Sequence, residues 1–149
     1  MLHDHIIYMA KYYTIPIQVE HDISRARLMT LDFAKQAGFS RAKAYYLATA
    51  VSELANNLVL HTTKGGELML SIVERHNVLG IEVRSSDTGP GIKNIDLAMQ
   101  EGFSTIEGSL GCGLPGVKRL MDEFHIESNQ YGTKIVAIKW HDSLSKTQL

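Results

Sequence analysis

Two runs of alternating hydrophobicity, ELMLSIVE (67–74) and NVLGIEVRSSD (77–87), constrain the chain more than any other feature. Leu68, Leu70 and Ile72 share one face of the first run, and Leu79, Ile81 and Val83 share one face of the second. A period of two marks strands with one buried face, and that face requires a covering layer. The runs are nearly contiguous, so they read as the two arms of an antiparallel hairpin. Parity carries further: positions 79, 81, 83, 85 and 87 fall on one side, which brings Asp87 to the edge of the apolar layer. A carboxylate there is costly unless something donates hydrogen bonds to it. Two donors fit: the backbone of its own loop, in an Asx-type turn, or the exocyclic amine of an adenine. The segment that follows, Thr88-Gly89-Pro90-Gly91, suits both, since it turns the chain and lets backbone approach a ligand closely.

The covering layer is legible upstream. Ser40 is an N-cap candidate for the longest helical segment, to about Leu60. Within it Leu47, Val51, Leu54, Ala55 and Leu58 follow the i, i+4, i+7, i+8, i+11 stripe of a helix that buries one side. Ahead of it, YYTIPIQV (12–19) reads as a strand that Pro16 confines to an edge. Asp22 is read as the N-cap of a helix to about Ala37, with Gly38 as its stop. After the hairpin, a short helix is expected over Ile95–Glu101, then a glycine-rich stretch (102–113), then a helix to about Phe124. HIESN and GTKIVAIKW close the chain as two strands joined around Tyr131-Gly132. Residues 1–12 and 141–149 read as tails around a single domain, 13–140. The expected architecture is α+β: a two-layer sandwich with a mixed, mostly antiparallel sheet covered by helices on one face.

Bulk properties exclude several classes. The 149 residues carry 15 basic and 16 acidic side chains, a formal charge of -1, so nothing advertises a nucleic-acid or anionic-membrane partner. One cysteine, Cys112, precludes an internal disulfide and suits a reducing compartment. No run approaches the roughly 18 apolar residues of a membrane span, and MLHDHIIYMAKYY lacks the pattern of a secretion signal. A cytoplasmic location is the expectation. The histidines have no ligand spacing, so no structural metal is expected.

Four polar features stand out. Glu53 and Asn57, four apart in SELANNLVLH, share a helix face that His61 continues, and they supply a proton acceptor and an oxygen ligand of the kind Mg²⁺ prefers. Asp87 is the second. In the third, Gly108, Gly111 and Gly113 free a loop to approach phosphate ahead of a helix start, with Lys118 and Arg119 farther along. In the fourth, Thr133 follows Gly132 and shares parity with Ile135 and Ala137, which brings its hydroxyl to the layer of Asp87. Each alone is also what a solvated helix face, a turn or a flexible loop looks like. Their order along one chain assembles a Mg-nucleotide site.

That order resembles the Bergerat-fold ATP-binding module of gyrase, heat-shock protein 90, histidine kinases and the mismatch-repair protein MutL. The matching boxes are SELANN, DTGPGI and the lid ending GCGLPG. No phospho-accepting helix pair is present, which directs the resemblance to stand-alone serine kinases related to anti-sigma factors. Within these, EGFSTIEGSLGCGLPGVKRLMDEF (101–124) and GTKIVAIKW (132–140) are similar to RsbT-type switch kinases of the stressosome; Cys112 stands where a smaller residue is usual. The resemblance implies an ATP- and Mg²⁺-dependent protein serine/threonine kinase acting on STAS-domain scaffold and antagonist proteins. Once released, it would activate a PP2C-type phosphatase or another output enzyme. It further implies Glu53 as general base, Asn57 as Mg²⁺ ligand and Asp87 as the adenine reader. Gly89 and Gly91 would shape the pocket, Gly108, Gly111 and Gly113 would serve the phosphate lid, and Thr133 would support the base. The alternative is an anti-sigma-factor-like protein that binds nucleotide and acts by sequestering a partner.

Overall fold

A computed structural model describes residues 5–100 and 113–141. Among these, five strands form one sheet in the order β1-β2-β3-β5-β4: β1 (Ile7–Ile17), β2 (Gly66–Arg75), β3 (Val78–Asp87), β4 (Glu123–Asn129) and β5 (Gly132–Trp140). Every pairing between them is antiparallel, where a mixed sheet was expected. The hairpin turns at His76 and Asn77, both at positive φ (52° and 66°), the conformation that matches the twist of the strands it joins. Pro16 does lie on an edge strand.

Register aligns the apolar rows. Ile15, Leu68, Ser85 and Ile135 are cross-strand neighbours in turn, as are Leu70, Val83 and Ala137, and all are buried. This inner face is covered by α1 (Glu20–Gln36), α2 (Arg41–His61) and α4 (Leu114–Leu120). The predicted stripe of α2 (Leu47, Val51, Leu54, Ala55 and Leu58) is buried in the interface. Ser40 caps that helix as expected, its hydroxyl accepting from the Lys43 N–H at 3.2 Å. At the same end Lys43 Nζ donates to the carbonyls of Trp140 and His141, both at 3.0 Å, and ties α2 to the end of β5.

Four local readings change. The first strand begins at Ile7 rather than Tyr12, with a register shift between Tyr8 and Tyr12. That shift lays Tyr8 over the outer face, where its hydroxyl donates to Glu82 Oε2 (2.7 Å) while Arg84 Nε donates to Oε1 (2.5 Å). Glu82 is thereby fully buried on the outer side, and its burial is compensated by hydrogen bonds from both neighbours. Burial and the bond to Glu82 raise the Tyr8 hydroxyl above its ordinary pKa. Second, Asp22 is not the N-cap of α1. It sits at the third helical position and reaches back, accepting from Gln18 N (2.8 Å) and Val19 N (3.0 Å). Third, α3 (Ile95–Ala98) is a single turn, capped by Asn94 Oδ1 accepting from Leu97 N at 2.9 Å. Fourth, α4 stops at Leu120, and Phe124 belongs to β4. Asp122 explains that stop: its N–H donates to the Ile138 carbonyl (2.8 Å) and its carboxylate accepts from Trp140 N (2.7 Å), so tertiary bonds override a helical sequence.

Candidate active site

Where β3 and β5 end beside α2, the sheet and helix layers part around a pocket of about 530 Å³. That volume lies within the range of small-molecule sites. Its apolar wall includes Leu54 and Leu58 of α2, Ile135 of β5, and Ile92, Leu97 and Ala98 beyond the hairpin. Asn57, Asp87, Gly91, Gly113 and Thr133 line the same pocket, so five residues singled out from sequence converge there. His61 joins them from the last turn of α2.

Asp87 ends β3 on the inner face, as strand parity requires. Its Oδ1 accepts from Gly89 N at 2.8 Å, which closes the Asx turn, and from Thr133 N at 3.3 Å across the strand ends. Among the described residues no bond falls on Oδ2. One oxygen organises the loop, and the other is left for whatever occupies the pocket. Backbone crowding fixes this corner. Gly132 has φ 150°, and a Cβ there would lie 2.0 Å from the Asp87 carbonyl oxygen. Gly91, at φ 84°, is pressed against β4, where a Cβ would meet the Asn129 carbonyl at 2.1 Å. Both positions need glycine for φ and for space. Gly89 instead lines a smaller adjoining cavity with Thr62, Lys64 and Thr88.

Glu53 and Asn57 occupy successive turns of α2, but their environments differ. Glu53 is 1% exposed, set among core side chains, whereas Asn57 reaches the pocket wall. Between them lies Asn56, which sequence reasoning passed over. It lines the pocket with its Nδ2 buried and, among the described residues, without a hydrogen-bond partner. An orphaned amide donor costs about 1–3 kcal/mol, and here it adjoins a cavity where an anionic ligand would accept from it. With Asn57 next to it, this wall fits a nucleotide phosphate with Mg²⁺, an ion that takes few protein oxygens and keeps several waters; Glu53, one turn back, lies behind the residues that line the pocket.

Gly113 caps α4 at φ 64° and lines the pocket mouth. Gly108, Gly111 and Cys112 lie outside the described residues. Lys118 and Arg119 are exposed on α4, away from the pocket lining. Ser128 is a second residue that sequence reading missed. Its Oγ accepts from Ile92 N at 2.7 Å and lies 2.7 Å from Thr133 Oγ1, joining the pocket wall to the closing strand.

An antiparallel sheet covered on one face by helices, with an acceptor carboxylate at a strand end and amides on the facing helix, defines a nucleotide-binding α+β sandwich. The model of the histidine kinase-like ATPase domain matches residues 15–139, and the chain belongs to that family. Among curated relatives, it is 44% identical over 127 residues to the serine/threonine-protein kinase RsbT of Bacillus subtilis, spanning 85% of this chain and 94% of that protein. It is 32% identical to the anti-sigma F factor of Clostridium kluyveri, spanning 82% and 88%. In fold it matches the RsbU and RsbW domains of Rv1364c from Mycobacterium tuberculosis with a TM-score of 0.61 at 15% identity, over 87% of this chain and 32% of that one. The catalytic domain of histidine kinase ThkA matches with a TM-score of 0.51 at 11% identity, over 88% of this chain and 96% of that domain. Among the described residues no helix is long and apolar enough to cross a membrane.

Proposed function

We propose that this protein is an ATP-dependent protein serine/threonine kinase of stress signalling. Its substrates would be STAS-domain scaffold and antagonist proteins, and its output, once released from them, activation of a PP2C-type phosphatase or a comparable enzyme in the cytoplasm. The observation that carries the reading is the 44% identity to serine/threonine-protein kinase RsbT across 94% of that protein. The pocket chemistry supports it. Asp87 Oδ2 is an acceptor for the adenine amine at the base of an apolar pocket. Asn57, with Asn56 beside it, faces the phosphate end and is the candidate Mg²⁺ ligand. Glu53 is the candidate general base, and Gly108, Gly111 and Gly113 are candidates for the phosphate lid. When bound, Mg²⁺ would neutralise charge on the transferring phosphoryl group.

The transfer itself needs little covalent work from the protein. The acceptor hydroxyl attacks the γ-phosphorus, its proton passes to the Glu53 carboxylate, and the bond to the departing ADP oxygen breaks. Positioning and a water-poor pocket supply the remainder. The test is transfer of labelled γ-phosphate to a STAS-domain partner. Glu53→Gln is expected to lower the rate by about 10²–10⁴-fold with ATP affinity within about threefold of wild type, the magnitude of a lost general base. A wild-type rate in that variant removes Glu53 from the role.

The anti-sigma F factor relatives favour one second reading, in which the domain binds nucleotide but acts by sequestering a sigma factor. Affinity capture separates the two. Retention of a sigma factor, with no STAS protein or phosphatase, selects sequestration.

A further inference from the structure

The hydrogen bonds behind the pocket have a direction. Ser128 and Thr133 are direct partners across the β4–β5 hairpin. Ser128 Oγ already accepts the Ile92 N–H at 2.7 Å. A hydroxyl carries one proton, and among the described residues the acceptor within reach of the Ser128 proton is Thr133 Oγ1, at 2.7 Å. Either hydroxyl can donate in this contact, and either choice leaves one proton over. Thr133 lines the pocket and Ser128 does not, so the arrangement that strands no proton behind the pocket is the one in which Ser128 donates to Thr133. The Thr133 hydroxyl then has its own proton left over, and no described protein acceptor takes it. Thr133 is 9% exposed and lines the pocket, so that proton is directed at the ligand.

Beside it stands Asp87, whose carboxylate can only accept. The two are held together because the Thr133 N–H donates to Asp87 Oδ1 at 3.3 Å. The base of the pocket thus presents an acceptor and a donor side by side. A purine edge with an amine next to an unprotonated ring nitrogen complements that pair. An edge with a carbonyl next to a ring N–H sets donor against donor and acceptor against acceptor. The first is adenine and the second is guanine.

We infer that Ser128 is a positioning residue that fixes the Thr133 hydroxyl as a donor, and that this polarity is what makes the pocket select adenine over guanine. The inference rests on the reading of the pocket as a nucleotide site. Without Ser128 the Thr133 hydroxyl rotates freely between donor and acceptor roles, and the discrimination weakens.

The experiment measures dissociation constants of ATP, GTP and 1-deaza-ATP, an analogue that lacks the ring-nitrogen acceptor. Wild type, Ser128→Ala and Ser128→Thr are compared, with thermal unfolding as the check on folding. Wild type is expected to bind ATP about 3–10-fold more tightly than 1-deaza-ATP, the size of one neutral hydrogen bond. Ser128→Ala is expected to lose about that factor for ATP, none for 1-deaza-ATP, and to narrow the ATP-to-GTP ratio. Ser128→Thr restores the wild-type pattern. Equal losses for ATP and 1-deaza-ATP would show that Ser128 acts only by holding Ile92, and would overturn the inference. If Ser128→Ala does not fold, the wild-type comparison still decides, because equal affinities for ATP and 1-deaza-ATP refute a donor at that position. Failure of wild type to bind ATP at all refutes the nucleotide site itself.

Discussion

Replacing Asp87 by asparagine isolates the oxygen that faces the ligand. The change is isosteric: the amide keeps Oδ1 in place for Gly89 N and Thr133 N, and converts Oδ2 into an NH₂ donor. Toward adenine an acceptor becomes a donor that meets the exocyclic amine head on. A hydrogen bond to a charged group contributes roughly 1.5–3 kcal/mol. At about 1.4 kcal/mol per factor of ten, ATP affinity is expected to fall about 10- to 150-fold. The fold should change much less. The two Oδ1 bonds remain but lose charge assistance at a partly buried position, which costs roughly 1 kcal/mol, or a Tm drop of about 2–4 °C in a domain of this size. Titration calorimetry with ATP and unfolding without nucleotide measure the two effects separately. Asp87→Ala is the control, since it strands both N–H groups and should cost distinctly more stability than the asparagine. If Asp87→Asn binds ATP within about twofold of wild type, Oδ2 does not face the base, and Asp87 is a turn residue alone.

Two further perturbations probe the supports of the site. Gly132→Ala places a methyl 2.0 Å from the Asp87 carbonyl at φ 150°; overpacking of this kind costs roughly 1–3 kcal/mol, so Tm should fall by about 2–12 °C, and an unchanged Tm would show that the corner relaxes freely. Asp22 tests the start of α1 through pH. The N–H groups of Val19 and Gln18 hold its carboxyl below the ordinary 3.8, so its stabilisation is present above that value and is lost as pH falls through the lowered folded-state pKa. The stability difference between wild type and Asp22→Ala in denaturant should be full near neutrality and shrink in acid below pH 3.8; a difference that does not vary with pH would mean the backbone bonds to Asp22 contribute nothing.

What was legible in the sequence was whatever one strand or one helix decides by itself. The hairpin declared its buried face through Leu68, Leu70, Ile81 and Val83, and the α2 stripe declared the helix that covers it. Readings failed where a neighbour out of sequence decides. The exposed Ile7, Tyr8, Met9 and Tyr12 show no inward alternation, so the early start of β1 follows only from pairing with β2. Met121 to Phe124 continue a helical pattern, yet Asp122 is claimed by Ile138 and Trp140. Asp22 is the usual kind of capping residue, yet its carboxylate reaches back from inside the first turn.

The site follows the same division, with one instructive difference. Asp87 and Thr133 were each placed by parity on their own strand, and parity alone does not bring two strands together. Their meeting depends on register. With Val83 opposite Ala137 and Ser85 opposite Ile135, the ends of β3 and β5 coincide, and Thr133 N reaches Asp87. A slip of one residue would expose Ile135 and Ala137 on the outer face and carry Thr133 there with them. The apolar residues that enforce the register to bury themselves therefore also enforce the pairing of acceptor and donor at the pocket base. Ser128 belongs to the same mechanism, because its contact with Thr133 exists only in the register that buries Ile135 and Ile126 on one side. In this fold the specification of the core and the polarity of the site are a single constraint, which is why Asp87 is visible from sequence while Ser128, whose contacts with Thr133 and Ile92 exist only in the folded chain, is not.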